Sequence, residues 1–100
     1  MVAKILIRRR FKVGKKKEIF ALFKKLRSAA LSQPGYISGE TLLEHNDPQH
    51  MLVITTWENI ESWHTWINSS KRKEFDAMME IYQDGPTEYE EYLLGASLLE

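Results

Sequence analysis

Cysteine is absent from the 100 residues, and histidine and proline occur three times each. The missing thiols exclude a disulfide scaffold, a thiolate nucleophile and a cysteine-based zinc site. No apolar run approaches the roughly 20 residues that a membrane helix requires. The stretch Ile5-Leu6-Ile7 is too short for the apolar region of a signal peptide, and three arginines follow it. There is no Gly-rich phosphate loop and no Gly-x-Ser-x-Gly elbow. Net charge is zero. These absences predict a soluble, cytoplasmic protein with no membrane partner and a single domain over residues 1–100.

Apolar residues make up 43% and charged residues 28%, which predicts a packed globule rather than a disordered chain. The charge is unevenly distributed. Residues 1–33 hold eleven lysines and arginines against Glu18 alone, and the remainder holds three against thirteen acids. Either the basic third is a surface for an anion, or it folds against the acidic part and is matched internally.

Periodicity supplies the elements. In residues 2–12, Ala3, Ile5, Ile7 and Phe11 alternate onto one face with Arg9, which predicts a strand. In residues 15–32, Ile19, Leu22, Phe23, Leu26 and Ala30 form one helical stripe with lysines opposite. Pro34-Gly35 ends that helix. Residues 36–44 and 51–57 predict a hairpin turning at Asn46-Asp47-Pro48. Asn59 is suited to cap a short helix to Ser69, and Ser70 to cap another over residues 71–83. Residues 87–95 predict a last strand, with residues 96–99 unassigned.

The resulting βαββαβ order, its second helical region broken in two, predicts a ferredoxin-like α+β fold with a four-stranded antiparallel sheet in the order 4-1-3-2. Strand 1 then runs beside strand 4, so Arg8, Arg9 and Arg10 are expected to meet Glu88, Glu90 and Glu91. Helices cover only one face of such a sheet. The other face carries Val2, Leu6, Leu52 and Ile54, too apolar to be left in water. A homodimer with two sheets face to face is the expected solution.

All three tryptophans fall within residues 57–66. Ile60, Trp63, His64 and Ile67 share a helical stripe, and Trp66 lies about 100° from its centre. That offset predicts that Trp66 is not fully buried by the same contact, and either lines a pocket beside the helix, packs against the next helix, or meets the partner subunit at the dimer seam. Aromatic pocket walls suit flat aromatic ligands.

Pro34-Gly35-Tyr36 opening strand 2, Trp57-Glu58 closing strand 3 and Glu61-Ser62-Trp63-His64-Thr65-Trp66 in the helix beyond it resemble the antibiotic biosynthesis monooxygenase family. The resemblance spans roughly residues 3–95. It implies a dimeric α+β barrel and a cofactor-independent monooxygenase acting on aromatic phenols or quinols. Many members carry a histidine at the Trp66 position, and the nearest histidine here is His64, two residues earlier on a different helical face; His64 and Trp66 are the expected catalytic residues, and Trp66, Trp63 and Tyr36 the expected ligand contacts. No cofactor and no metal are expected. The family's haem-degrading branch is disfavoured, because its strand-1 asparagine is Ile7 here and its axial histidine is Asp76.

Other chemistries have weaker support. His45 with Glu44 and Asp47 matches no metal-binding spacing. His64 has the chemistry of a general base, but a histidine on an apolar helix stripe is more often a hydrogen-bonded core residue. Strand 3 lacks the glycine and aromatic pattern of RNA-recognition domains, so no nucleic-acid partner is expected. A non-catalytic dimeric module that holds a small ligand is the alternative to the enzyme.

Overall fold

The structure, a computed structural model, describes residues 1–95. Its elements are β1 (Ala3–Arg10), α1 (Lys16–Leu31), β2 (Tyr36–Glu44), β3 (Asp47–Trp57), α2 (Ile60–Ile67), α3 (Ser70–Glu80) and β4 (Glu88–Leu93). The strands form one antiparallel sheet in the order β2-β3-β1-β4. This is the expected ferredoxin-like α+β arrangement. The unassigned residues 96–99 lie outside the described residues.

Alternation along β1 determines which face is covered. Ala3, Ile5, Ile7 and Arg9 are buried, while Lys4, Leu6 and Arg8 between them are only partly covered. The buried set joins Ile19, Leu22, Leu26, Ala29 and Ala30 of α1 and Trp63, Trp66, Phe75 and Met79 of α2 and α3 in one core. Burial of these apolar side chains is the main stabilising term, at roughly 1.5–3 kcal/mol for each large one.

Local chemistry places the boundaries. At the end of α1, Ser32 Oγ and Gln33 Nε2 both donate to the Ala29 carbonyl, at 2.9 and 3.1 Å. Asn59 caps α2 as expected, its side chain accepting from the Ser62 N–H at 2.8 Å. The cap of α3 is Ser69, one residue earlier than expected, because its hydroxyl is the one that accepts from the Arg72 N–H. The hairpin turn also differs. It is His45-Asn46, and β3 begins at Asp47 with Glu44 paired to Asp47. Pro48 lacks an N–H and sits where the β2–β3 register shifts, a position that needs no ladder donor.

The strand-1 arginines do find acids, but not in a single row. Arg8 pairs with Glu90 of β4, Arg10 with Asp47 at the hairpin, and Arg9 lies 3.7 Å from Asp76 of α3. Side chains alternate across a strand, so Arg9 faces the helices and its two neighbours do not. The lysines of α1 remain on the surface.

Candidate functional site

Between α1, the β2 edge of the sheet and the start of α2 lies a cavity of about 440 Å³. Its apolar wall includes Ile7, Phe23, Leu26, Val53, Trp57, Trp63 and Trp66. Tyr36, Thr41 and Thr55 add hydroxyls, and Arg9, Lys24, Arg27 and Arg72 add positive charge against Glu40 alone.

The Pro34-Gly35 turn builds one side of this space. Gly35 has φ +84°, a left-handed conformation that favours glycine. A Cβ there would lie 2.7 Å from Ser62 Cβ, so the first turn of α2 approaches to a distance only glycine permits. The Gly35 carbonyl accepts from the Glu58 N–H at 2.7 Å and joins the two segments. Tyr36 follows directly, with its ring edge-on to Trp57 at 5.3 Å and 88°. Trp57 in turn meets Trp63 at 5.9 Å, and Trp63 meets Tyr89 at 6.0 Å. Gly39 makes room for the Tyr36 hydroxyl, since a Cβ at residue 39 would lie 2.5 Å from it. Partial burial raises the Tyr36 pKa above its ordinary value, with Arg27 opposing. Tyr36 is therefore protonated at neutral pH and available as a hydrogen-bond donor.

The structure brings Tyr36, Trp63 and Trp66 together around this cavity and leaves His64 out. His64 is 50% exposed, and its Nε2 lies 2.7 Å from Glu91 Oε2 on β4. The two expected catalytic residues are thus separated, with Trp66 in the cavity wall and His64 outside it. Trp66, expected to be incompletely buried, is 2% exposed. The reason is that α2 is covered on two sides. Trp63 and Trp66, three residues apart, face inward together, and Arg72 of α3 stands over both rings, at 5.5 and 6.0 Å. The inward face is centred between the two tryptophans, which turns His64 towards solvent.

Two buried arginines went unnoticed in the sequence. Arg9 is 2% exposed and Arg72 3%. Arg9 lies over the Phe23 ring at 5.5 Å. Asp76 Oδ1 accepts from Arg72 Nε at 2.9 Å. Burial, with repulsion from Arg72, lowers the Arg9 pKa to about 10, while Tyr89 and Asp76 oppose the shift. Arg9 falls on the apolar parity of β1, a signal that could have marked it as buried. Arg72 reads as one of three consecutive surface cations, Lys71-Arg72-Lys73. Among the described residues, no group of three or more histidine, aspartate or glutamate side chains is placed to hold a metal. Asp76, where a haem ligand would stand in one branch of the resembling family, is occupied by the arginines.

The profile described as antibiotic biosynthesis monooxygenase matches residues 3–91. No curated protein matches the chain. Solved structures do. A conserved protein of Methanosarcina mazei Go1 is 23% identical, with a TM-score of 0.85 over 92% of this chain and 91% of its own. SnoaB of Streptomyces nogalater, described as a cofactor-independent oxygenase, is 14% identical, with a TM-score of 0.83 over 99% of this chain and 98% of its own. Rv0793 of Mycobacterium tuberculosis is 9% identical, with a TM-score of 0.81 over 93% and 94%. At these identities the likeness is one of fold.

Proposed function

This chain belongs to the antibiotic biosynthesis monooxygenase family, and on that footing we propose that it is a cofactor-independent monooxygenase of small aromatic, quinol-like molecules. The observation that carries the reading is the aromatic cavity, whose walls include Tyr36, Trp57, Trp63 and Trp66. Its volume of about 440 Å³ accommodates a two- or three-ring molecule. The fold likeness to a protein described as a cofactor-independent oxygenase agrees with it.

An electron-rich ring needs little from the protein. Loss of a proton from a phenol-activated ring carbon gives a carbanion equivalent that passes one electron to dioxygen. Recombination forms the C–O bond, and the hydroperoxide, once protonated, loses water. A ring CH2 thus becomes a carbonyl, one oxygen atom enters the product, the other leaves as water, and the substrate supplies all the electrons. In this reading Trp63 and Trp66 hold the ring flat, and Tyr36 donates a hydrogen bond to a developing oxyanion. The apolar walls keep water from the reactive intermediates.

One observation favours a second reading, a binding module without turnover. No histidine lines the cavity, and Glu40 is its one lining carboxylate among the described residues, so a dedicated base is not obvious. Oxygen uptake separates the two. With 1,4-dihydroxynaphthalene and anthrone as substrates, uptake should be catalysed and should fall at least about tenfold in Trp66→Ala. His64→Ala, altering a side chain outside the cavity, should leave it within a factor of about two. Tryptophan quenching by the same molecules with no uptake would support the binding module.

The same reading includes a homodimer. Opposite the helices, Leu6 pairs with Ile54, Leu42 with Leu52, and Lys4 with Tyr92. Leu42 and Tyr92 are half-exposed. A second copy laid sheet to sheet would cover these apolar side chains, which share the face with Arg8, Glu40 and Glu90.

A further inference from the structure

We propose that Arg9, Arg72 and the Trp66 indole N–H form an anion seat in the cavity wall, and that the molecule held there is an aromatic acid bound through its carboxylate. The inference rests on the cavity being the ligand site, and it adds the chemical class of the ligand.

Four buried donor atoms lack a hydrogen-bond partner among the described residues: Arg9 Nε, Arg9 Nη2, Arg72 Nη2 and Trp66 Nε1. All three residues line the same cavity. Buried donors are ordinarily satisfied, so four orphans at one place are an exception that needs a cause. Charge points the same way. Two guanidinium groups share one carboxylate, Asp76, which bonds Arg72 Nε at 2.9 Å and stands 3.7 Å from Arg9 Nη2. The cluster therefore keeps one net positive charge on two buried side chains. The aromatic faces of Phe23, Trp63 and Trp66 support the two cations without consuming their N–H groups.

The donor set selects the shape of the anion. Nε and Nη2 of one guanidinium lie along one edge, the fork that fits the two oxygens of a carboxylate, and on Arg9 neither is hydrogen-bonded, with Asp76 3.7 Å from Nη2. Arg72 Nη2 and Trp66 Nε1 bring the total to four donors, against the roughly four lone-pair sites of a carboxylate. The rest of the wall is aromatic and aliphatic, which selects a flat apolar body attached to that carboxylate. A free tetrahedral anion would satisfy the charge and leave the aromatic wall unfilled.

The test compares 2-naphthoate with 2-naphthamide, which share a ring system and differ in charge. Binding is followed by tryptophan fluorescence. The naphthoate should bind at least about tenfold more tightly, the equivalent of one charge-assisted hydrogen bond. The preference should fall to within about twofold in Arg9→Met and in Arg72→Met, and should persist in Lys17→Met on the exposed face of α1. The unmodified protein gives a reading that needs no variant: its melting temperature should rise with naphthoate and not with equimolar naphthamide or inorganic phosphate. Equal affinity for acid and amide would overturn the proposal, as would a preference that survives both buried-arginine variants or a response matched by phosphate. Oxygen uptake tests the enzymatic reading separately. Naphthoate selectivity with no uptake of oxygen sinks the monooxygenase and leaves the anion seat standing; catalysed uptake with no selectivity does the reverse.

Discussion

Replacing Gly35 with alanine should destabilise the protein through two separable causes. Gly35 holds φ +84°, a conformation that costs an L-residue roughly 1–2 kcal/mol. The added methyl group would also sit 2.7 Å from Ser62 Cβ. Neither atom can retreat easily, because Ser62 belongs to the first turn of α2 and its N–H is held by Asn59. Overpacking of this kind costs about 1–3 kcal/mol. The sum, about 2–5 kcal/mol, should lower the melting temperature of a domain this size by roughly 8–40 °C. The second variant, Ser62→Gly, removes the obstructing side chain and leaves only Glu58 Cβ, at 4.0 Å, near the new methyl. In the double variant the packing penalty should disappear and the backbone penalty remain. A thermal double-mutant cycle should therefore show about 1–3 kcal/mol of coupling. Strict additivity of the two substitutions, or a Gly35→Ala loss of less than about 3 °C, would refute the close approach of the turn to α2.

Gly39→Ala should displace the Tyr36 hydroxyl, weakening 2-naphthoate binding several-fold; Tyr36→Phe in the same chain should restore ring packing, as seen in the melting temperature. Trp57→Ala removes a wholly buried indole and should cost about 3–5 kcal/mol in urea unfolding. The Asp47 pKa is lowered, chiefly by its hydrogen bond from Arg10. A carboxyl depressed in the folded state stabilises at and above its ordinary range and loses that contribution as pH falls below about 4. Asp47→Asn should therefore flatten the acid limb of the stability curve slightly, the pair being exposed. Ile54→Lys should halve the sedimenting mass if two sheets meet face to face, and leave it unchanged if they do not.

Strand and helix identity were legible because burial on one side imposes a period, and β1 and α1 obey it cleanly. The sheet order followed from the order of elements. The wheel of α2 misled for a physical reason. Ile60, Trp63, His64 and Ile67 do lie on one stripe, but a helix held between a sheet and a second helix buries an arc displaced towards that second helix. Trp66 falls inside the displaced arc and His64 outside it. The hairpin turn moved by one or two residues because Pro48 is accommodated at a register shift within β3 rather than at the corner. The aromatic half of the cavity was thus visible in Tyr36, Trp63 and Trp66. Its charged half was not, because Arg9 and Arg72 are 63 positions apart in sequence and only the packing of α3 over β1 brings them together.

That charged half works against folding. Burial, with repulsion from Arg72, lowers the Arg9 pKa to about 10, well below the ordinary guanidinium range, so its charge disfavours the folded state at neutral pH. The unfolded chain binds more protons between about 10 and that ordinary range, so stability should rise with pH across that window. A methionine of similar length would avoid the cost and leave Arg72 and Asp76 as a neutral pair. A group that weakens its own fold needs another reason to be there, and four unpartnered donors beside an aromatic cavity supply one. Arg9→Met should therefore raise the melting temperature by several degrees while it abolishes the preference for an aromatic carboxylate. General damage to the structure moves stability and binding downward together. Movement in opposite directions is the signature of a cation kept for its ligand, and a lower melting temperature in Arg9→Met would contradict that account.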